Sequence, residues 1–275
     1  MIVFFKKIKY FGGSIYRGLI GMKDNAFDKA PEIKTAVEWF VLGNSREGRN
    51  IRCYKIGTGP KKIFFVAGIH GNEVGTVKLA HNLINWIFAK REKFFNFSIY
   101  IIPCLNPDGA EIAKQFPDYF GRGRFGRFNA NNVDLDRNFP EKNWQPQSIW
   151  PRGLDYGDEA IEVFCGDSAG SEPEVQAFVS FAGIERIKNI ISFHNMAGDV
   201  IINLENPVAA KWANIYREKA KFRIVKSPKL SGNMSEWCLE NNINFMTVEG
   251  TTRWGSDWKR QRAALEEILN LLQQE

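Results

Sequence analysis

Two histidines and two glutamates stand out in this sequence because each follows an apolar run. His70 and Glu73 are three residues apart in G-I-H-G-N-E, which comes just after I-F-F-V-A. His194 follows I-I-S-F, and Glu249 follows F-M-T-V. Two imidazoles and a carboxylate are the donor set of catalytic zinc sites that keep one coordination position open. The sequence therefore predicts a metal site formed by His70, Glu73 and His194.

Charged residues that could complete such a site occur between and after these ligands. Glu249 is placed to accept a proton from the water that a bound zinc ion activates. Asp134 is predicted to accept a hydrogen bond from the far N–H of a ligand histidine. Arg127 and Arg137 are predicted to hold an oxyanion and a substrate carboxylate, because guanidinium groups pair well with both. These residues together indicate metal-assisted hydrolysis of an amide. The H-E-x-x-H helix signature of the thermolysin arrangement is absent from the sequence.

The elements that position these residues are predicted from the periodicity of the apolar residues. Strands are predicted at 37–42, 51–56, 63–67, 98–104, 187–193 and 245–248. Helices are predicted at 77–88, 171–182, 208–221, 235–240 and 257–274. The first two strands are expected to form an edge hairpin. Buried strands alternating with helices predict an α/β fold, which binds ligands at the carboxyl ends of its strands.

The stretch from 105 to 150 is the least regular part of the sequence. L-N-P-D-G (105–109) is predicted to be a turn that ends a strand, and 110–150 is predicted to be a long loop. The many aromatic residues of that loop indicate that it is packed and functional. The run G-R-G-R-F-G-R-F (121–128) has the composition of an arginine-glycine RNA-binding segment, but it is short and unrepeated. We therefore interpret the run as part of a substrate loop.

Length and composition limit the remaining classes of protein. We expect one domain over residues 1–275, with 1–35 as a candidate N-terminal extension. The formal net charge of +6, with a pI of about 9.1, favours anionic partners. The basic residues are dispersed, however, so we expect no nucleic-acid partner. The N-terminal apolar run is too short for a signal peptide or a membrane span, so we expect no membrane partner.

The number and spacing of the cysteines indicate the redox state of the protein's compartment. The sequence has four, and they form no C-x-x-C pair. Free thiols are therefore expected rather than a disulfide framework. We take the protein to be cytoplasmic by default, and the oligomeric state stays open.

Seven short segments occur in the order found in the M14 zinc carboxypeptidases, and the sequence resembles that family over roughly residues 60 to 250. The segments are G-I-H-G-N-E (68–73), L-N-P-D-G (105–109), R-F-N-A-N-N-V-D-L-D-R-N-F-P (127–140), S-E-P-E (171–174), S-F-H-N (192–195), S-G-N-M-S-E-W (231–237) and T-V-E-G (247–250). Several motifs in one order are more specific than any single motif. The chain looks like the short bacterial branch, which includes an amidase acting on γ-D-glutamyl-meso-diaminopimelate in murein peptides.

The resemblance implies a fold and a cofactor. The implied fold has three layers, α/β/α, with a mixed and mainly parallel central sheet. The implied cofactor is one Zn²⁺ per chain, with His70, Glu73 and His194 as its ligands. The implied activity is that of a zinc metallopeptidase or amidase that cleaves a small peptide.

The resemblance also implies a role for each of the other charged residues. Glu249 is implied to be the general base, and Arg127 is implied to stabilise the oxyanion. Asp134 is implied to support His70 through a hydrogen bond. Arg137 is implied to bind a substrate carboxylate.

Asp136 departs from the family pattern, because D-L-N-R-N-F usually has asparagine at this position. A carboxylate here removes an amide donor and repels a substrate carboxylate. We therefore expect Asp136 to take part in substrate binding, in favour of an amine such as the free end of diaminopimelate. A second departure is K-S-P-K-L (226–230), which lacks the tyrosine that larger digestive members have just before the segment matching 231–237.

Two alternatives to a peptidase stay open from the sequence. N-acyl amino-acid deacylases of the succinylglutamate desuccinylase and aspartoacylase type share G-x-H-G-N-E and D-L-x-R, although they usually carry a further C-terminal β-domain. A pseudoenzyme that keeps the fold as a binding module would also account for Asp136. The four intact residues at the predicted metal site favour an active enzyme over that second alternative.

Overall fold

The structure is a computed structural model that describes residues 30–115, 125–150, 161–252 and 254–274. Of the predicted extension at 1–35, residues 1–29 lie outside the described residues, as does 121–124 of the arginine-glycine run. The single-domain organisation stays a prediction. The elements, in chain order, are β1 (Glu38–Asn44), β2 (Asn50–Ile56), β3 (Lys61–Val66), α1 (Val74–Ala89), β4 (Phe97–Ile102), α2 (Pro107–Gln115), β5 (Gln147–Trp150), β6 (Ile161–Phe164), α3 (Pro173–Ile184), β7 (Asn189–Asn195), β8 (Asp199–Ile202), α4 (Pro207–Ala220), β9 (Arg223–Lys226), α5 (Met234–Glu240), β10 (Asn244–Gly250) and α6 (Trp258–Gln274).

Eight strands form one sheet in the order β1–β2–β4–β3–β7–β10–β8–β9. The four central strands, β4, β3, β7 and β10, are parallel to one another, as are β8 and β9. The pairs β1–β2, β2–β4 and β10–β8 are antiparallel. The predicted edge hairpin is therefore present as β1–β2, and the prediction of a mixed, mainly parallel sheet is confirmed. Strands β5 and β6 pair in a separate small sheet.

Helices cover both faces of the large sheet, which explains why its central strands carry buried apolar residues on both faces. On β3, Ile63 and Phe65 belong to the core formed with α1, α4 and α6. The alternate residues, Phe64 and Val66, belong to the core formed with α3 and α5. All four side chains are fully buried. The predicted three-layer α/β/α arrangement is therefore confirmed.

The described part of the stretch from 105 to 150 is more regular than predicted. The prediction that L-N-P-D-G only ends a strand was wrong, because α2 begins at Pro107. Asn106 Oδ1 accepts a hydrogen bond from the Gly109 N–H at 2.8 Å, which caps the new helix. Proline suits the first helical position because its missing N–H would have no partner there. Strand β5 and a 3-10 turn (Leu135–Arg137) also lie within the predicted loop.

Three further strands, β6, β8 and β9, and several element boundaries also differ from the prediction. Strands β8 (D-V-I-I) and β9 (R-I-V-K) are only four residues long, so each gave only a short apolar run. Helix α1 begins at Val74, three residues earlier than predicted, and Glu73 occupies its N-cap position.

The free cysteines and the position of His81 agree with the prediction. All four cysteines are free, as expected. His81, the third histidine, places Nδ1 2.8 Å from the Pro31 carbonyl oxygen, away from the other two. Within the described ranges, no helix has the length and apolar character that crossing a membrane requires.

Candidate metal centre

A tight turn after β3 carries the first two candidate ligands. Gly68 has a φ of 59°, and a Cβ there would lie 2.9 Å from Cys104 Cα, so this position requires glycine. Thr76 Oγ1 accepts a hydrogen bond from the Gly68 N–H at 3.1 Å and donates one to the Glu73 carbonyl oxygen at 2.7 Å. These bonds hold the turn against the start of α1. They fix the backbone that carries His70 and Glu73.

The three predicted ligands come together at the carboxyl ends of β3 and β7. His70 Nδ1 lies 2.8 Å from Glu73 Oε1, and His194 Nδ1 lies 3.4 Å from Glu73 Oε2. The centroids of the two imidazole rings are 4.9 Å apart. One donor atom from each residue lies within 4.8 Å of the other two, and all three residues are buried. Three donor groups therefore face one small volume.

The charges of these groups depend on one another. Burial on its own would raise the pKa of Glu73, but His70 and His194 hold that pKa well below its usual range. Burial on its own would lower the pKa of His194, but the Glu73 carboxylate outweighs it and raises the pKa to about 9. The carboxylates of Asp136 and Glu249 add to that rise. The volume between the donors thus favours positive charge.

The donor set fits a zinc ion. Zinc is bound by imidazole nitrogens and carboxylate oxygens, and catalytic zinc sites take three such ligands from the protein. Because metal ligands bind in their deprotonated form, a cation would replace the protons that link the histidines to Glu73. The second nitrogen of His70, Nε2, lies 3.2 Å from Asp134 Oδ1. A carboxylate at this position orients a metal-binding histidine and raises its basicity.

Glu249 lies beside the candidate ligands because of strand register. Strands β10 and β7 run parallel, and Glu249 is aligned with His194. Burial raises the pKa of Glu249 to about 7, and the Glu73 carboxylate adds to the rise. The positive charges of the two histidines and of Arg127 act in the opposite direction. A carboxyl group with a pKa near neutrality is suited to accepting and returning a proton.

Asp134 connects the candidate ligands to the long loop. Besides the contact with His70, its Oδ1 accepts a hydrogen bond from the Asp136 N–H at 3.1 Å. Its Oδ2 accepts bonds from Arg127 Nε at 3.2 Å and Nη2 at 3.0 Å. Burial would raise the pKa of Asp134, but Arg127 and His70 hold it well below its usual range. Arg127 Nη1 is 3.9 Å from Glu73 Oε1, so the guanidinium lies next to a candidate ligand.

Arg137 is paired with its own neighbour in the chain. Its Nη1 donates to Asp136 Oδ2 at 2.8 Å and to the Asp136 carbonyl oxygen at 2.6 Å. The side chains of Arg137 and Asp136 are only 10% and 15% exposed. The sequence predicted a substrate carboxylate beside Arg137, and in the structure a carboxylate of the chain itself lies there.

Three glycines allow the loop to pack against the turn after β3. A Cβ on Gly71 would overlap the backbone nitrogen of Ala110 and would lie 2.6 Å from the Gly126 carbonyl oxygen. A Cβ on Gly109 would lie 2.6 Å from the same oxygen. The backbones of the turn, of α2 and of the residue before Arg127 are therefore in direct contact. This contact brings Arg127 to the candidate ligands from a distant part of the sequence.

Buried amides whose role the sequence did not predict hold the rest of the loop. Asn138 Nδ2 donates to the Cys165 carbonyl oxygen at 2.6 Å, and its Oδ1 accepts from the Glu172 N–H at 3.0 Å. Asn129 Nδ2 donates to Glu172 Oε2 at 2.7 Å. Both amides bond to Glu172 in the segment S-E-P-E (171–174). From the sequence alone, that segment indicated only the start of a helix.

The segment S-G-N-M-S-E-W supports the same loop from the other side. The Phe139 N–H donates to the Gly232 carbonyl oxygen at 2.9 Å. Gly232 has a φ of 63°, and a Cβ there would overlap the Arg137 carbonyl group. Only glycine allows this close approach to the backbone of Arg137.

Sequence comparison identifies the family and several relatives. The sequence profile of the zinc carboxypeptidases, Peptidase_M14, matches residues 27–246. The chain is 28% identical over 189 residues to murein peptide amidase A from Escherichia coli strain K12, which covers 67% of this chain and 69% of that protein. It is also 28% identical over 264 residues to the carboxypeptidase N catalytic chain from Rattus norvegicus, which covers 90% of this chain and 52% of that protein.

Solved structures share the fold. The murein-tripeptide amidase from Escherichia coli O157 superimposes with a TM-score of 0.63 at 22% identity, over 88% of this chain and 94% of that one. Bovine thrombin-activatable fibrinolysis inhibitor, in complex with tick carboxypeptidase inhibitor, superimposes with a TM-score of 0.65 at 18% identity, over 93% of this chain and 94% of that one. At these identities the likeness concerns the fold alone.

Proposed function

The chain belongs to the zinc carboxypeptidase family and is a hydrolase, and from that premise we propose that it cleaves an amide bond near the end of a small peptide. One observation carries the proposal. The donor atoms of His70, Glu73 and His194 converge within 4.8 Å of one another, and Glu249 is aligned with His194 on the adjacent strand. Three ligands with a carboxyl group beside them are what metal-assisted hydrolysis requires.

His70, Glu73 and His194 would bind one zinc ion per chain. When bound in such a site, zinc acts as a Lewis acid and brings the pKa of a water molecule toward about 7. Asp134 holds His70 through Nε2, which leaves Nδ1 directed at Glu73. The carboxylate of Asp134 therefore positions a ligand and does not itself meet the substrate.

Glu249 would act as the general base. It accepts a proton as the water oxygen bonds to the amide carbon, and it returns the proton to the nitrogen as the carbon–nitrogen bond breaks. Arg127 would stabilise the negative charge that develops on the carbonyl oxygen. Its position next to Glu73, at 3.9 Å, supports this role.

The proposed substrate is a small peptide of the murein type. The name of the Escherichia coli relative, murein peptide amidase A, supports this choice. Asp136 and Arg137 would bind the part of the substrate that leaves as the amine. We further propose that the protein acts in the cytoplasm, since free cysteines are typical of a reducing compartment.

A substrate panel with zinc analysis tests this function. The panel compares release of a C-terminal amino acid, cleavage of γ-D-glutamyl-diaminopimelate and hydrolysis of N-acyl amino acids. We expect cleavage of the γ-D-glutamyl amide by a protein that carries about one zinc per chain. Glu249→Gln should keep the zinc and lose about 10²- to 10⁴-fold in turnover. Glu162→Gln, which changes an exposed glutamate on β6, is the matched control and should leave turnover unchanged.

Three results would contradict the proposal. A zinc-free protein from a zinc-replete preparation would remove the metal from the mechanism. Full turnover by Glu249→Gln would remove the general base. Hydrolysis of N-acyl amino acids alone would identify a deacylase.

A further inference from the structure

The side chains of Asp136 and Arg137 form an ion pair with one unused edge on each partner. In this ion pair Arg137 donates a hydrogen bond through Nη1 only, and the Asp136 carboxylate accepts it through Oδ2. Among the residues that the structure describes, no hydrogen bond reaches Arg137 Nε or Nη2, or Asp136 Oδ1. The pair thus keeps two cationic donor groups and one anionic acceptor available. The Arg137 side chain is 10% exposed and the Asp136 side chain is 15% exposed.

The pair lies close to the candidate metal centre. The Asp136 N–H donates to Asp134 Oδ1, the same oxygen that contacts His70. A substrate whose amide reaches the metal centre would therefore place its leaving part beside this pair.

Within the described part of the loop, the charged residues nearest the candidate ligands carry no excess positive charge for a lone carboxylate. Arg127 is bonded to Asp134, and Arg137 is bonded to Asp136, so two cations meet two anions. A substrate carboxylate at Arg137 would lie next to the Asp136 carboxylate, and like charges at such distances repel strongly away from water. A lone carboxylate would then gain little from Arg137.

We propose, building on the proposed function, that Asp136 and Arg137 together select a leaving group with a zwitterionic α-amino-acid head. The ammonium group of the head would meet Asp136 Oδ1, and its carboxylate would meet Arg137 Nε and Nη2. Each contact is a charge-assisted hydrogen bond, and such bonds are stronger than neutral ones. Asp136 is therefore a specificity-determining residue, whereas a lone carboxylate or a blocked amine is a poor fit.

Binding of two matched acids to the zinc-loaded protein tests the pair without relying on catalysis. The probes are α-aminopimelate, which has one zwitterionic head, and pimelate, which has the same chain and no amine. Calorimetry should show roughly tenfold to hundredfold tighter binding of α-aminopimelate, the range expected for a hydrogen bond between charged groups. Asp136→Asn should abolish that preference, because the amide is nearly the same shape and carries no charge. Asp136→Glu should retain part of it.

The controls separate this inference from the proposed function. Asp167→Asn changes an exposed carboxylate and should keep the full preference of the unmodified protein. A preference that depends on Asp136 supports the inference even if no amide of the panel is cleaved, in which case the proposed function alone fails. Equal binding of the two acids, tighter binding of pimelate, or an unchanged preference in Asp136→Asn would overturn the inference.

Discussion

His194 and Glu249 are positioned by strand register, whereas Arg127 and Asp136 are positioned by hydrogen bonds to Asp134 within the long loop. We call strand-end set the four candidate residues at or just after the carboxyl ends of core strands, namely His70, Glu73, His194 and Glu249. We call loop set four charged residues of the long loop that the sequence predicted to belong to the site, namely Arg127, Asp134, Asp136 and Arg137. The two sets meet where Asp134 contacts His70.

The difference lies in what holds each set. The strand-end set follows strands with fully buried residues on both faces, such as Phe64 and Phe65, so moving it would disrupt a packed core. The loop set depends on buried amides and on glycines such as Gly71 and Gly232. A change at Asp136 or Arg137 is therefore expected to alter substrate binding while the metal site stays intact. The strand-end set supplies the candidate ligands and base, whereas the loop set supports them through Arg127 and Asp134 and adds the proposed substrate-binding pair.

Removal of a strand-end ligand should give the largest effect. In His194→Ala the site keeps two of its three donor residues, and zinc content should fall from about one per chain to near zero. Elemental analysis of the purified protein measures this change. His81→Ala removes the one histidine outside the site and should keep its zinc. Full zinc content in His194→Ala would mean that the metal is bound elsewhere.

The residue that joins the two sets should give an intermediate effect. Asp134→Asn replaces the carboxylate that contacts His70 Nε2 with an amide, so zinc affinity should fall about 10- to 100-fold. Competition with a chelator of known affinity measures the change. Asp167→Asn, on an exposed part of the chain, serves as the control. Unaltered zinc affinity would show that the two sets are not coupled through Asp134.

A substitution that disturbs only the backbone packing against the loop set should give the smallest effect. Gly232→Ala combines a left-handed backbone with a clash against Arg137, and the backbone conformation alone costs roughly 1–2 kcal/mol. We expect a lower free energy of unfolding and a raised KM, with unchanged zinc content. In contrast, Gly183→Ala in α3 meets open space and should stabilise the protein by roughly 0.5–1 kcal/mol. Loss of zinc in Gly232→Ala would contradict the separation of the two sets.

Much of the fold could be predicted because the core strands have a strong local signal. The apolar run at 63–67 and the run before His194 both became central strands, with boundaries close to those predicted. Helix α2 and strands β8 and β9 could not be predicted in the same way. Strand β9 is stabilised by pairing with β8, a partner more than twenty residues away, and its own sequence is half charged. Pairing of this kind overrides local propensity.

The sequence by itself determined which residues could bind a metal, because donor residues directly after buried strands must gather at one edge of a parallel sheet. Only the tertiary structure decided how the loop meets that edge. The bond between Asp134 and His70, and the packing of Gly126 against Gly71, join segments that are far apart in sequence. The sequence predicted that Asp136 would matter, but its pairing with Arg137 depends on side-chain geometry, which residue types and spacing do not specify.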